Sequence, residues 1–286
     1  MNSNQSLTAS KICFYGAGSM AEAIVRGLIH KQVASPDHIA MLNRSSQERL
    51  VYLSDRYGVM TANQEESKRS YLQGASIIVL AMKPKDAGEA LTHLGPLLQN
   101  DQLIISMVAG LSISTIQALL GVKAPIARTM PNTSCSIGQG VTGISFSEEV
   151  TEAERAQTLS MFEAVGTVSF IPEEQMEILT GISGCGPAYI YYMMEAMIKA
   201  GIDGGLTSEQ ARDLTVQTVL GAACMMTETG EEPSKLRADI TSPNGSTQAA
   251  LEVLNHGHFL QLVQAAVHRA TERSQEMGND VKEALK

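Results

Sequence analysis

The chain is short of every feature that would carry it out of the cell, into a bilayer or onto nucleic acid. The stretch Met1 to Ser10 is polar and holds no apolar signal core, so secretion is not expected. The most apolar run, Ile77 to Met82, is far too short to span a bilayer, and the apolar stretch Ala188 to Ile198 is also short and broken by Glu195. The four cysteines, Cys13, Cys135, Cys185 and Cys224, are scattered, with no CxxC pair and no histidine at ligand spacing. No structural metal is expected, and reduced thiols in a cytoplasmic protein are. Positive charge is also scarce: 21 Lys and Arg stand against 30 Asp and Glu, a net charge of −9. Such a chain repels phosphate backbones, which leaves room only for a local basic pocket that takes a small anion. Internal repeats and low-complexity segments are absent.

What is present suits a globular enzyme. At 286 residues, 44% of them hydrophobic and 18% charged, the chain can build two cores. Its first half alternates strands with helices. Lys11–Tyr15, His38–Leu42, a short run near Val59, Ala75–Met82, Gln102–Val108 and Pro125–Met130 read as strands. Met20–His30 and Gln47–Tyr57 read as helices, and Pro84 suits a helix start. That order implies a mostly parallel sheet covered by helices. Val141–Phe146 and Thr167–Phe170 extend the sheet at its far edge, separated by a helix opened by a capping box, Thr151 with Glu154.

Beyond Pro172 the strands stop. Pro187–Ala200, Thr207–Thr227, Ser246–Asn255 and Phe259–Met277 read as helices, with Gly257 and Gly278 as stops. The expected class is therefore α/β: a Rossmann-like dinucleotide-binding domain over 1–171 and an all-α domain over 172–286. The helix at Ala188 to Ile198 is apolar on nearly every face and calls for burial all round, either inside its own domain or at a subunit interface.

Gly16-Ala17-Gly18-Ser19-Met20-Ala21 matches G-x-G-x-x-G/A between an apolar strand and an amphipathic helix, the context a dinucleotide site requires. Gly16 makes the tight turn, Gly18 lets the backbone approach a pyrophosphate, and Ala21 lets helix and strand pack. Gly16, Gly18, Ser19 and Met20 are candidate contacts, with the helix N-terminus facing the anion. NAD sites place a carboxylate at the end of the second strand. Here the segment reads Asn43-Arg44-Ser45-Ser46, with no acid before Glu48. Arg44 can pair with a 2′-phosphate and Asn43, Ser45 and Ser46 can add hydrogen bonds, so NADP(H) is preferred and NAD(H) allowed. The alternative for Arg44 is a solvated loop charge. Ala81-Met82-Lys83-Pro84 lies at the carboxyl edge of the sheet, so Met82, Lys83 and Pro84 are further candidates, Lys83 being equally an ordinary exposed lysine.

Two small-residue clusters mark the second half. Ser183-Gly184-Cys185-Gly186-Pro187-Ala188 precedes the apolar helix, where its glycines either serve a site or permit close packing. Thr241-Ser242-Pro243-Asn244-Gly245-Ser246-Thr247 runs into a helix N-terminus, whose amides and dipole suit a carboxylate. Plain capping by Ser242 or Ser246 would account for one serine of this cluster.

Over nearly its whole length the chain resembles the pyrroline-5-carboxylate reductase family. The resemblance rests on GAGSMAEA at Gly16–Ala23, AMKP at Ala81–Pro84, RTMPNT at Arg128–Thr133, SGCGPAY at Ser183–Tyr189 and TSPNGSTQAA at Thr241–Ala250, the last being the most specific. One departure is Asn244, where the family usually has glycine; asparagine tolerates the left-handed backbone better than most residues. The resemblance implies reduction of a small imino acid, 1-pyrroline-5-carboxylate, to L-proline by NAD(P)H, the last step of proline biosynthesis. It places Thr247 at the ring nitrogen as the catalytic hydroxyl, and puts Ser242, Gly245 and Ser246 in the loop that holds the substrate carboxylate. Met130 and Asn132 fall near the nicotinamide. It also implies self-association through the helical domain as a dimer, in this family often assembled further into decamers.

Two rivals are set against it. β-Hydroxyacid dehydrogenases carry G-x-x-G-x-G-x-x-x-K with a catalytic lysine; Gly181, Gly184 and Gly186 fit the glycines, but Ile190 stands where the lysine would be. A catalytically silent dinucleotide-binding protein would keep the fold but has no need of the Thr241–Thr247 loop.

Overall fold

The computed structural model describes residues 7–283; Met1 to Ser6, part of the stretch without a signal core, lie outside the described residues. Eight strands form one sheet: β1 (Ile12–Tyr15), β2 (Ile39–Leu42), β3 (Met60–Ala62), β4 (Ile77–Leu80), β5 (Leu103–Ser106), β6 (Ile126–Pro131), β7 (Gly140–Phe146) and β8 (Gly166–Phe170). Their order is β3-β2-β1-β4-β5-β6-β7-β8. Strands β1 to β6 are parallel, β7 runs antiparallel to β6, and β8 is parallel to β7. The helices are α1 (Ser19–His30), α2 (Gln47–Tyr57), α3 (Glu65–Gly74), α4 (Pro84–Leu94), α5 (Ile113–Leu120), α6 (Glu152–Glu163), α7 (Met176–Leu179), α8 (Gly186–Asp203), α9 (Ser208–Thr229), α10 (Pro233–Asp239), α11 (Ser246–His256) and α12 (Phe259–Glu283).

The sheet builds itself from continuous apolar runs. Ile77–Leu80 and Ile39–Leu42 are buried at every position, as strands covered on both faces must be. Alternate residues of these strands feed two cores. Phe14, Met41, Val79 and Ile105 pack on one face with Ile24, Leu28 and Phe162. Cys13, Leu42, Ile78 and Ile104 pack on the other with Leu91, Ile116 and Leu119. Burial pushes the Cys13 thiol up to about 12, so it behaves as a small apolar residue. The capping box read at Thr151 and Glu154 is formed, with Thr151 Oγ1 accepting from the Glu154 amide at 3.3 Å.

The contacts divide the chain into two units, residues 186–267 in one, and residues up to 185 together with those from 268 onward in the other. The sequence reading instead divides it between 171 and 172. The reason for the return is visible in the first unit. Gly110, at φ +78°, sits against the backbone of Ser274 and Gly278, and a Cβ on Gly278 would lie only 2.0 Å from the Gly110 carbonyl oxygen. Gly278 therefore does not stop α12, as the sequence suggested; the helix runs on to Glu283. Its missing side chain lets two backbones touch, and that contact docks the end of α12 onto the strand-bearing unit.

The helical unit hides little of itself. Between 186 and 267 only Ala211 and Thr215 are fully buried, while Tyr191, Tyr192, Leu214 and Leu220 are more than half exposed. The apolar α8 is thus not covered by its own chain. Among the described residues no helix is long and apolar enough to cross a membrane, and no group of three or more His, Cys, Asp or Glu is placed to hold a metal ion.

Candidate functional site

β1 has β2 on one side and β4 on the other, so the carboxyl end of β1 is a switch point of the sheet, where open α/β folds leave a crevice. The turn there is forced into its shape. Gly16 has φ +124°, and a Cβ on it would lie 2.5 Å from the Ala81 carbonyl oxygen just past β4. Any side chain would have to push the glycine turn away from the β4 exit. At Gly18, the N-cap of α1, a Cβ would meet nothing within 4 Å, and no side chain caps the helix. There is thus room beside Gly18, and no side chain takes up the first-turn amides of α1, which suits an N-terminus that receives a pyrophosphate. This cradle fits a dinucleotide.

A second tie fixes the turn from outside. Arg49 Nε donates to the Ala17 carbonyl at 2.9 Å, and its Nη2 lies 2.5 Å from Glu22 Oε2. Tyr57 also donates to Glu22 at 2.8 Å. Partial burial raises the Glu22 pKa, but the hydrogen bonds from Arg49 and Tyr57 and the Arg49 charge outweigh it and leave the carboxyl below its ordinary value. The stability this clamp contributes is present above the unfolded carboxylate range and is lost as pH falls through the lowered value.

The loop after β2 is wound on its own first residue. Asn43 Oδ1 accepts from the amides of Ser45 and Ser46 at 3.0 and 3.1 Å, and Ser46 Oγ accepts from the Arg49 amide to cap α2. Asn43 and Ser46 thus spend these oxygens on shaping the loop, and Arg44 projects from it with its side chain 75% exposed. The cleft that results, about 650 Å3, brings together Gly16, Asn43, Arg44, Ser45, Met82 and Lys83. Ser19 and Met20 lie in the first turn of α1, and Pro84 opens α4, outside that lining.

Met130 and Asn132 also lie outside it. Both are at the end of β6, against a π-helical turn over Thr180–Gly184. A Cβ on Gly184 would come within 2.9 Å of Met130 Cε, so that glycine permits close packing. Asn132 Nδ2 donates to the Ser183 carbonyl at 3.1 Å and its Oδ1 accepts from the Val141 amide at 3.4 Å. These bonds commit the Asn132 side chain to holding the backbone on either side of it.

Sequence reasoning missed the far wall of the cleft. Glu65, Lys68, Asp86, Glu89 and His93 line it from α3 and α4. Lys68, whose side chain is 10% exposed, pairs with Glu65 at 2.8 Å. Burial, with the Glu65 charge adding to it, holds the Tyr15 hydroxyl above its ordinary value, so it remains a neutral donor. None of these residues belongs to a motif; the only signal was charge on the helix expected to start at Pro84, and α3 was not expected at all.

In the helical unit, the loop before α11 is a tight turn. The Gly245 amide donates to the Ser242 carbonyl at 3.0 Å, with Pro243 second and Asn244, at φ +60°, third in the turn. Asn244 therefore occupies the left-handed region that glycine would fill. Gln248 Oε1 reaches back to accept from the Asn244 amide at 2.9 Å. The N-cap is Gly245, with no side-chain cap, so neither Ser242 nor Ser246 caps the helix. Ser246 and Thr247 open α11, and Thr247 is half-buried. Their hydroxyls stand beside first-turn amides that have no partner within the helix, an arrangement suited to a carboxylate and one neighbouring polar group.

Known proteins resemble both units. A family model described as pyrroline-5-carboxylate reductase dimerisation matches residues 173–277, and one described as NADP oxidoreductase, coenzyme F420-dependent, matches residues 11–110. Pyrroline-5-carboxylate reductase 2 of Bacillus subtilis is 40% identical over 93% of this chain and 95% of its own. The crystal structure of pyrroline carboxylate reductase from Plasmodium falciparum, with NADP bound, superimposes with a TM-score of 0.87 at 29% identity, covering 95% of this chain and 99% of that one. The Coxiella burnetii pyrroline-5-carboxylate reductase gives 0.83 at 37% identity, covering 94% and 99%.

Proposed function

This chain belongs to the pyrroline-5-carboxylate reductase family and catalyses the NAD(P)H-dependent reduction of pyrroline-5-carboxylate in proline biosynthesis; from that premise we propose which of its residues hold each reactant. The observation that carries the proposal is the turn at Ser242–Gly245 leading into an α11 whose first turn has no side-chain cap. Ser242, Gly245 and Ser246 hold the substrate carboxylate there, on backbone amides and at the positive end of the helix. Thr247, one residue further on, meets the ring nitrogen.

Gly16, Gly18, Ser19 and Met20 would hold the pyrophosphate of the dinucleotide. When bound, its nicotinamide supplies the hydride that adds to the C=N carbon. With the nitrogen protonated beforehand, that addition consumes the positive charge and leaves a neutral amine, so no strong acid is required. What the protein must provide is orientation and a polar partner for the nitrogen as its charge disappears. A threonine hydroxyl serves as such a partner and is too weak an acid to be the source of the proton. Consumption of NADPH with pyrroline-5-carboxylate tests the reaction, beside formation of NADPH from NADP+ with 3-hydroxyacids; oxidation of the hydroxyacids without reduction of the imine would sink it and would point to the β-hydroxyacid dehydrogenase class.

NADPH is the preferred cofactor because Arg44 projects from the end of β2, where a carboxylate would repel the 2′-phosphate. Arg44→Ala is expected to raise the NADPH KM by about 10-fold, the effect of one lost charged hydrogen bond, with the NADH KM little changed. Equal rises for both cofactors would show that Arg44 does not read the phosphate.

The chain self-associates, as its dimerisation region requires. The fewest copies that could cover the exposed faces of α8 and α9 are two, and a higher assembly of dimers is the family-like extension. A unit of this size with two fully buried residues has too little core to stand alone. Sedimentation should give a dimer or larger at assay concentrations; a stable, fully active monomer would refute this.

A further inference from the structure

We infer that Asp86 and Glu89 oppose Arg44 at the 2′-phosphate position and so set the balance between NADPH and NADH, an inference that rests on reading Arg44 as the phosphate contact. In an NAD-selective site the carboxylate comes from the end of β2 and accepts from ribose hydroxyls. In this chain that place is taken by Asn43, whose Oδ1 is already occupied by the amides of Ser45 and Ser46. The missing acid is supplied from across the cleft. Asp86 Oδ1 lies 3.6 Å from Arg44 Nη2, and Glu89 Oε2 lies 4.0 Å from Arg44 Nη1. All three residues line the same cleft.

The two carboxylates differ in weight. The Asp86 side chain is 33% exposed and that of Glu89 is 90% exposed, so solvent and salt screen Glu89 far more. A 2′-phosphate carries a charge of about −1.5 to −2 at neutral pH. Brought to Arg44, it displaces both carboxylates from the guanidinium and then remains within their field. NADH presents a hydroxyl at the same position. It meets no such repulsion, and a carboxylate there accepts its hydrogen bond. One acidic group therefore pushes the two cofactors in opposite directions, and Asp86 pushes harder than Glu89.

Asp86 has a second possible use, since it lies in the first turn of α4, where a negative charge favours the helix. That use would alter stability without distinguishing the cofactors. The test is therefore binding, on the assembled protein, of NADPH, NADH and the fragment 2′,5′-ADP, by nucleotide fluorescence and displacement, with melting temperatures alongside. Asp86→Asn is expected to tighten NADPH and 2′,5′-ADP by about 2- to 10-fold and to weaken NADH, with smaller changes of the same signs in Glu89→Gln. Arg44→Ala is measured in the same series and should weaken only the two nucleotides that carry a 2′-phosphate, NADPH and 2′,5′-ADP. If Arg44→Ala behaves so but Asp86→Asn leaves the ratio of NADPH to NADH affinity unchanged, the role of the carboxylates is overturned while that of Arg44 stands. If Arg44→Ala weakens all three ligands equally, the phosphate reading falls and this inference with it. A lowered melting temperature in Asp86→Asn with parallel loss of all three ligands assigns it to the helix alone, and also overturns the inference.

Discussion

Thr247→Ala is expected to lower kcat/KM for pyrroline-5-carboxylate by about 10- to 1000-fold, roughly 1.4–4 kcal/mol of transition-state stabilisation, while the affinity for NADPH barely changes. Thr247 opens a helix that has no side-chain cap, because Gly245 holds the capping position. Its hydroxyl is therefore not the group that ends the helix, and alanine, the better helix former, should leave the fold intact. A five-membered ring whose carboxylate rests on the amides around Gly245 and Ser246 extends only a few ångströms, which brings its nitrogen to this same turn. Thr247→Ser keeps the hydroxyl and gives up a methyl group, so it should recover much of the loss. A capping hydroxyl would instead cost about 0.5–2 kcal/mol of stability on truncation and little turnover. Steady-state kinetics and melting temperatures on the three proteins separate the two roles, and full activity in the alanine variant would remove Thr247 from the mechanism.

Where the sequence was legible, burial within one chain wrote the pattern. Ile77–Leu80 had to be apolar throughout because helices cover both faces of the sheet, so the strand was found, although its reading as Ala75–Met82 ran two residues too far at each end. The glycine turn was legible because Gly16 has no substitute against Ala81. α3 went unnamed because Glu65–Gly74 is polar and buries only Lys68 and Leu72, too few to set a helical period. The acidic wall of the cleft was hidden for a related reason. Asp86 and Glu89 are ordinary helix residues by type, and only the fold brings them to Arg44 from some forty positions away. Gly278 misled because a glycine late in a helical stretch signals either a stop or a close contact, and the contact partner, Gly110, is distant in sequence. α8 was read as buried on all faces, a demand that its own chain does not meet. Its sequence records the assembly rather than the protomer.

Arg128 opens the family-like segment Arg128–Thr133, and the sequence alone gives it no role. Its surroundings argue for a structural one. Arg128 is 5% exposed, with Nη1 3.2 Å from Glu173 Oε1 and Nη2 2.6 Å from Glu177 Oε1. Glu173 Oε1 also accepts from the amide of Ile113, the first residue of α5, at 2.6 Å. One guanidinium thus ties β6 to the short helical stretch that leads into the π-helical turn, and through Glu173 to α5 as well. Arg128→Met should therefore cost about 1–3 kcal/mol of stability, because it leaves Glu177, 12% exposed, without its cation, while solvent screens Glu173, which is 32% exposed. Removing the whole ionic group, Arg128→Met with Glu177→Met and Glu173→Gln, should restore much of that loss, since an apolar replacement carries no unpaired charge. Denaturant unfolding must be compared at one protomer concentration, because association adds to the apparent stability. Arg128 lines no part of the dinucleotide cleft, so NADPH affinity in the folded fraction of the single variant should stay near that of the parent. A single variant that unfolds at the parent's denaturant midpoint would show that the clamp contributes nothing, and one that folds normally but loses turnover would give Arg128 a part in the reaction.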